Sequence, residues 1–102
     1  MHSALIYTDA YVNYQYSDSH PLKPYRLRLT HELMQHYRLL QLPHSGVRET
    51  VPATQEELAL FHTPEYLDVL RAADAGKRTI PYGRYGLGPG DNPIFPGMYT
   101  WS

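Results

Sequence analysis

His20-Pro21-Leu22-Lys23-Pro24-Tyr25-Arg26-Leu27-Arg28-Leu29-Thr30-His31 is the stretch that decides how the rest of the chain is read. Its two prolines disfavour helix in the residues before them, so a helix is expected to begin at or after Pro24. From Tyr25 to Leu40 the spacing is helical. Leu29, Leu33 and Leu40, with Leu27, Met34 and Tyr37 beside them, form a wide apolar face, and Arg28, Glu32, Gln35 and Arg38 fill the other side. Leu42-Pro43 and then Ser45-Gly46 are expected to stop this helix.

Upstream, Ala4-Leu5-Ile6-Tyr7 reads as a short buried strand on its β-branched and aromatic content. The tyrosine-rich segment from Tyr11 to His20 has no helical period and reads as a loop. Downstream, Val47 to Pro52 is a short strand or a crossing segment. Thr54-Gln55-Glu56-Glu57 has the form of a capping box, opening a short helix through Phe61. Thr63-Pro64-Glu65 opens another, with a cap, proline at the first helical position and an acid in the first turn. Tyr66, Leu67, Val69, Leu70 and Ala73 give that helix its apolar face, and Gly76 is placed to end it. Beyond Gly76 come 26 residues with five glycines, four prolines and no sustained period. A stretch that long is either a functional loop or rests on further structure.

The bulk numbers narrow the function classes. The chain has 102 residues, is 42% hydrophobic and carries a formal charge of −1, which excludes a global basic field for nucleic acid or an anionic membrane. It has no cysteine, so disulfides and thiolate metal sites are absent. No apolar run is long enough to span a bilayer, and the start lacks the basic region of a secretory signal, so cytoplasmic residence is expected. Ten tyrosines against two phenylalanines suit half-wet cleft walls and interfaces.

For chemistry, the six histidines include no His-Glu-x-x-His and no His-x-His. His31 and His36 are five apart on one helix and project in different directions. No metal ligand and no catalytic residue is assigned within the chain. Ser17, Ser19, Ser45 and Ser102 stand in no nucleophile-elbow context. Gly86-Leu87-Gly88-Pro89-Gly90 lacks the Lys-Ser/Thr ending of a phosphate loop and reads as a turning loop. Lys23, Arg26 and Arg28 put cations at a helix start, where they oppose the macrodipole, which favours a function for at least one of them. Arg26 is the better candidate because a guanidinium can organise several carbonyls or carboxylates. Asp91, within Gly90-Asp91-Asn92-Pro93, either caps its own loop as an Asx-turn or presents a carboxylate to the N–H groups of a bound peptide-like substrate.

Three segments in series resemble one family. The His20–His31 stretch resembles the His-Pro-x-Lys-Pro-x-Arg segment of class I histone deacetylases and bacterial acetoin-utilization proteins. Ala53–Leu58, with Phe61-His62 and Glu65-Tyr66-Leu67, resembles their next helical segment. Tyr85–Gly97 resembles the glycine-rich loop that leads to Asp-x-Pro. The resemblance implies the N-terminal part of the three-layer α/β/α arginase–deacetylase fold over residues 1–102: one short parallel-sheet strand, two to three helices and a long Gly/Pro-rich loop. It implies hydrolysis of an N-acetyl-lysine amide or a related acyl-amine bond, with zinc as the cofactor of the full domain. Asp91 would then be a substrate-binding residue at the rim and Arg26 a residue of the acetate channel. Lys23 is a candidate anion-binding residue, although Tyr25 stands where the inositol-phosphate-binding members carry histidine. The implied partners are an acetylated lysine peptide or acetylated small amine, and the remainder of the deacetylase domain. The family's histidine pair, metal ligands and catalytic tyrosine lie later than Ser102, so this stretch alone is expected not to hydrolyse amides. From another class, a stand-alone α/β binding or interaction module would expose its apolar helix faces to a partner. A phosphate-binding protein built on Lys23, Arg26 and Arg28 is a third reading.

Overall fold

A computed structural model of the chain describes residues 1–101. Strand β1 (Ser3–Ile6) leads through a 3₁₀ turn (Asp9–Asn13) and a loop to helix α1 (Tyr25–His36). A 3₁₀ turn (Leu39–Gln41) then enters strand β2 (Ser45–Arg48), followed by α2 (Gln55–Leu58), α3 (Pro64–Asp74), a 3₁₀ turn (Tyr82–Tyr85) and α4 (Met98–Trp101). β1 and β2 pair in parallel, Ser3 opposite Ser45 and Ile6 opposite Arg48. Bonds from Ser3 N–H to His44 O (2.8 Å) and from Tyr7 N–H to Arg48 O (3.1 Å) extend the ladder at both ends. With α1 in the crossover, residues 3–48 form a β-α-β unit.

This corrects two expectations. Among the described residues there are two strands where the fold expectation had one, the second at Ser45–Arg48 and so overlapping the segment Val47 to Pro52 read as a strand or a crossing, and α1 stops at His36 where a helix to Leu40 was expected. Both differences have one cause. Arg38 takes the left-handed conformation (φ 56°), which ends the helix four residues before Leu42-Pro43. A glycine usually fills such a position, so no residue type announced the stop. Ser45 Oγ then donates to Leu42 O (2.8 Å) and Leu39 O (3.1 Å), closing the turn and delivering Ser45-Gly46 to β1. The residues expected to break a helix form a strand because the helix has already ended.

The remaining starts and stops follow local chemistry. Thr54 and Glu57 form the full capping box, with Thr54 N–H donating to Glu57 Oε2 (2.8 Å) and Glu57 N–H to Thr54 Oγ1 (3.2 Å). Thr63 Oγ1 accepts from Tyr66 N–H (3.2 Å) ahead of Pro64. Gly76, at φ 76°, ends α3 as a Schellman motif, with Lys77 N–H on Ala72 O and Gly76 N–H on Ala73 O, both 3.0 Å.

Packing divides the molecule. Leu67, Val69, Ala72 and Ala73 of α3, with Met98 of α4, are buried, and Tyr7 is the other buried apolar residue. The Gly/Pro-rich tail folds back on α3: the Asp74 carboxylate accepts Gly97 N–H, and Tyr85 donates its hydroxyl to Glu65 (2.6 Å). By contrast, α1 buries none of its residues, and Leu29 and Leu33 are 49% and 56% exposed. The chain is a slab of 51 × 34 × 17 Å with a radius of gyration of 16.7 Å. A closed globule of this length has a radius near 13 Å. The accessible surface is 8014 Å², whereas a compact monomer of this mass exposes about 5,900 Å².

Candidate functional site

Pro21 and Pro24 hold the chain out of helix ahead of α1, so His20 and Lys23 precede the helix and Arg26 lies in its first turn. The turn fixes the ring of His20. Its Nδ1 accepts Leu22 N–H (3.0 Å), so Nε2 carries the proton and donates to Asp91 O (3.1 Å). That bond joins the proline stretch to the glycine-rich loop across 71 residues. Sequence reasoning assigned His20 no part in the site. No local signal announced it, because its partner loop lies 71 residues away.

The loop around Asp91 is braced by its neighbour. Asn92 Nδ2 donates to Gly86 O (3.2 Å), and Gly88 N–H donates to Asn92 O (3.0 Å). Gly88 and Gly90 sit at φ 136° and 109°, conformations that L side chains rarely adopt. Among the described residues the Asp91 carboxylate takes no hydrogen bond and no ion pair, and the residue is exposed. Asn92 therefore does the bracing that an Asx-turn at Asp91 would have done.

The three cations have different partners. Lys23 Nζ donates to Asp18 O and, at 3.5 Å, to Ser17 O, so its ammonium is held by backbone carbonyls. Arg28 pairs with Glu32 one turn on, at 3.2 Å. Arg26 and Lys23 line one cavity of about 480 Å³ with Tyr11, Tyr14, Leu22 and Trp101. The Arg26 guanidinium makes no hydrogen bond or ion pair among the described residues. Two of the three thus border one cavity, and Arg28 is not among its lining residues.

Rings fill the space between the two loops. Tyr14 and Tyr16 meet Phe95 edge-on at 5.1 and 5.4 Å, and Tyr16 lies 4.3 Å from the ring of His20. The Tyr14 and Tyr16 hydroxyls are 2.7 Å apart. Burial, then the bond to Tyr16, pushes the Tyr14 phenol up to about 12. Tyr7 stacks on His31 (4.0 Å, 18°) and donates to Asp9 Oδ1 (2.9 Å); burial first, then Asp9, raises its phenol.

Zinc does not fit these residues. Among the described residues no three of His, Cys, Asp and Glu come together where they could share an ion, and both nitrogens of His20 are engaged by backbone. No helix among the described residues is long and apolar enough to cross a membrane.

With this geometry in place, the comparisons with known proteins are specific. The family profile described as "Histone deacetylase domain" matches residues 20–102. Histone deacetylase 3 of Oryza sativa subsp. japonica is 37% identical over 92 residues, covering 87% of this chain and 18% of that protein. Acetoin utilization protein AcuC of Bacillus subtilis (strain 168) is 34% identical over 98 residues, covering 95% of this chain and 25% of AcuC. Histone deacetylase RPD3 of Saccharomyces cerevisiae is 34% identical over 91 residues, covering 87% of this chain and 21% of RPD3. A chain with a β-α-β start, a braced glycine loop and this run of matches is a mixed α/β protein of the deacetylase class. It belongs to the histone deacetylase family. It spans about a fifth to a quarter of the length of these three relatives.

Proposed function

We propose that residues 1–102 are the N-terminal part of a zinc-dependent deacetylase domain that hydrolyses N-acetyl-lysine or a related acyl-amine amide. On this reading the two strands and α1 are one portion of a three-layer α/β/α fold. The observation that carries the proposal is the unfinished packing of that unit. A two-stranded parallel sheet lies open, although parallel sheets occur with both faces covered. Beside it stand the half-exposed Leu27, Leu29 and Leu33 of α1. The remainder of the domain would cover these faces and bring the metal ligands.

The side chains support matching roles. Asp91, unpaired on a braced loop tip, is suited to accept N–H bonds from a substrate backbone at the rim. Arg26, in a cavity walled mostly by apolar and aromatic groups, is suited to hold the carboxylate product of amide hydrolysis. Lys23 is occupied by two carbonyls, which leaves it to position the loop at 17–18 unless an anion displaces them.

The test uses the full-length protein with zinc and an acetyl-lysine peptide. Asp91→Asn is expected to raise KM roughly tenfold with kcat little changed, since a lost charged hydrogen bond is worth about 1.5–3 kcal/mol. Equal KM for both proteins would remove Asp91 from substrate binding. Residues 1–102 alone with zinc are expected to give no turnover above a metal-free blank. Turnover by that segment would defeat the claim that the chemistry lies in the rest of the domain.

A further inference from the structure

A second cavity, of about 330 Å³, lies between α3 and the loop of residues 82–93. Four tyrosines, Tyr14, Tyr16, Tyr66 and Tyr85, line it together with His62, and no lysine or arginine does so among the described residues. The hydroxyls of three of these tyrosines already have partners. Tyr14 and Tyr16 bond to each other, and Tyr85 donates to Glu65 at 2.6 Å. What the wall offers a ligand is therefore aromatic surface beside polar groups such as His62 and Asn92.

Charges of both signs act on Tyr85: the Glu65 carboxylate, its hydrogen-bond partner, raises the phenol and the Arg84 guanidinium lowers it, the carboxylate being the stronger. Aromatic faces are negative and attract cations within about 6 Å of the ring centre. A phenol that donates to a carboxylate is polarised further, and the Glu65 charge stands one ring away from the cavity. The carboxylate raises the Tyr85 phenol, so Tyr85 stays a donor across the neutral range. An anion would meet rings, with the Glu65 carboxylate bonded to one of them and no Lys or Arg among the described lining residues. A strongly hydrated metal ion would find no cluster of three ligating side chains. The volume is at the low end for small-molecule sites.

We propose that this cavity binds an organic cation of the alkylammonium class, whether a free amine or the ammonium end of a lysine side chain. An alkylammonium presents a diffuse charge on apolar groups, the form that aromatic walls hold best. The site uses no metal and does not depend on the deacetylase reading, although Tyr14 also lines the Arg26 cavity.

The test is a titration of the full-length protein with tetramethylammonium chloride, followed by NMR on the ring protons of Tyr66 and Tyr85. Sodium chloride and tert-butanol, a neutral compound of similar shape, serve as references. Saturable shifts with tetramethylammonium and none with the references are expected. Tyr66→Leu should weaken binding about tenfold, the loss of one desolvated cation–π contact. Tyr85→Phe and Glu65→Gln keep the ring and the fold and should weaken it two- to fivefold. A trimethyllysine peptide run in parallel separates the sources. Tighter binding than tetramethylammonium assigns the site to a protein side chain, and equal binding assigns it to free amines; both uphold the ammonium chemistry. Equal saturation by tert-butanol, no saturation by tetramethylammonium, or an affinity indifferent to Glu65→Gln and Tyr85→Phe would overturn the proposal.

Discussion

Helices α1 and α3 both show an apolar face in the sequence, α3 the more sharply, and meet opposite fates. Each carries apolar residues at helical spacing. In α3 that face is closed by α4 and the returning tail, and Leu67 is 1% exposed. In α1 the face stands half in solvent, and the helix packs against the 3₁₀ turns at Asp9–Asn13 and Leu39–Gln41. Periodicity therefore reports that a helix has something to cover. It does not report whether the cover comes from the same hundred residues.

The widest gap between the two helices should appear on truncating a leucine in each. Leu67→Ala is expected to cost about 2–5 kcal/mol in urea unfolding, the range for a leucine lost from a packed core. Leu33→Ala in residues 1–102 should cost no more than about 0.5 kcal/mol, the level of a surface change. In the full-length protein the Leu33 cost should rise toward that of Leu67 if a later segment covers α1. An unchanged small cost there would break the comparison and favour a self-sufficient small module, as would cooperative unfolding of a monomeric 102-residue chain without dye-binding apolar surface.

Next in size are the ends of α3. Thr63→Ala removes the cap on Tyr66 N–H and should cost about 1 kcal/mol. Gly76→Ala should cost a similar amount, about 1 kcal/mol, from the left-handed backbone alone, because an added Cβ meets nothing within 4 Å. Both losses should be equal in residues 1–102 and in the full-length protein, since these contacts are local. A difference between the two backgrounds would show that α3 also depends on outside partners.

The gentlest probe is alkaline pH. The Tyr14 phenol, half-buried and raised to about 12, binds its proton more tightly in the folded chain than in the unfolded one, where the value is 10.0. Its contribution is fully present below pH 10 and declines as pH rises toward about 12. Tyr14→Phe should flatten that part of the stability curve, read by circular dichroism across the same range. A curve of unchanged steepness would mean that Tyr14 is no better shielded than a surface tyrosine. Tyr7 and Tyr85 titrate in the same sense and set the slope that remains.

The parts legible from sequence were those in which cause and effect lie within a few residues. The Thr54 and Thr63 caps, Pro64 at a helix start and Gly76 at a helix end all state their conformations locally. β2 was obscured because Ser45-Gly46 looks like a breaker and becomes a strand only by pairing with residues 42 positions earlier. The stop at Arg38 was hidden for a different reason: a residue with no taste for the left-handed region occupies it. Asp91 could be placed on a loop tip from its glycines, and it took the structure to show Asn92 doing the bracing. The His20–Asp91 bond left no trace that spacing could reveal.

The two-stranded sheet has a consequence for how such a polypeptide survives its own synthesis. Its outer margins carry amide and carbonyl groups that β1 and β2 do not satisfy for each other, flanked by exposed Ile6 and Val47. Unsatisfied strand margins recruit whatever extended chain arrives first. At high concentration the nearest candidate is another copy, so residues 1–102 should self-associate through these margins unless later strands or a chaperone reach them sooner.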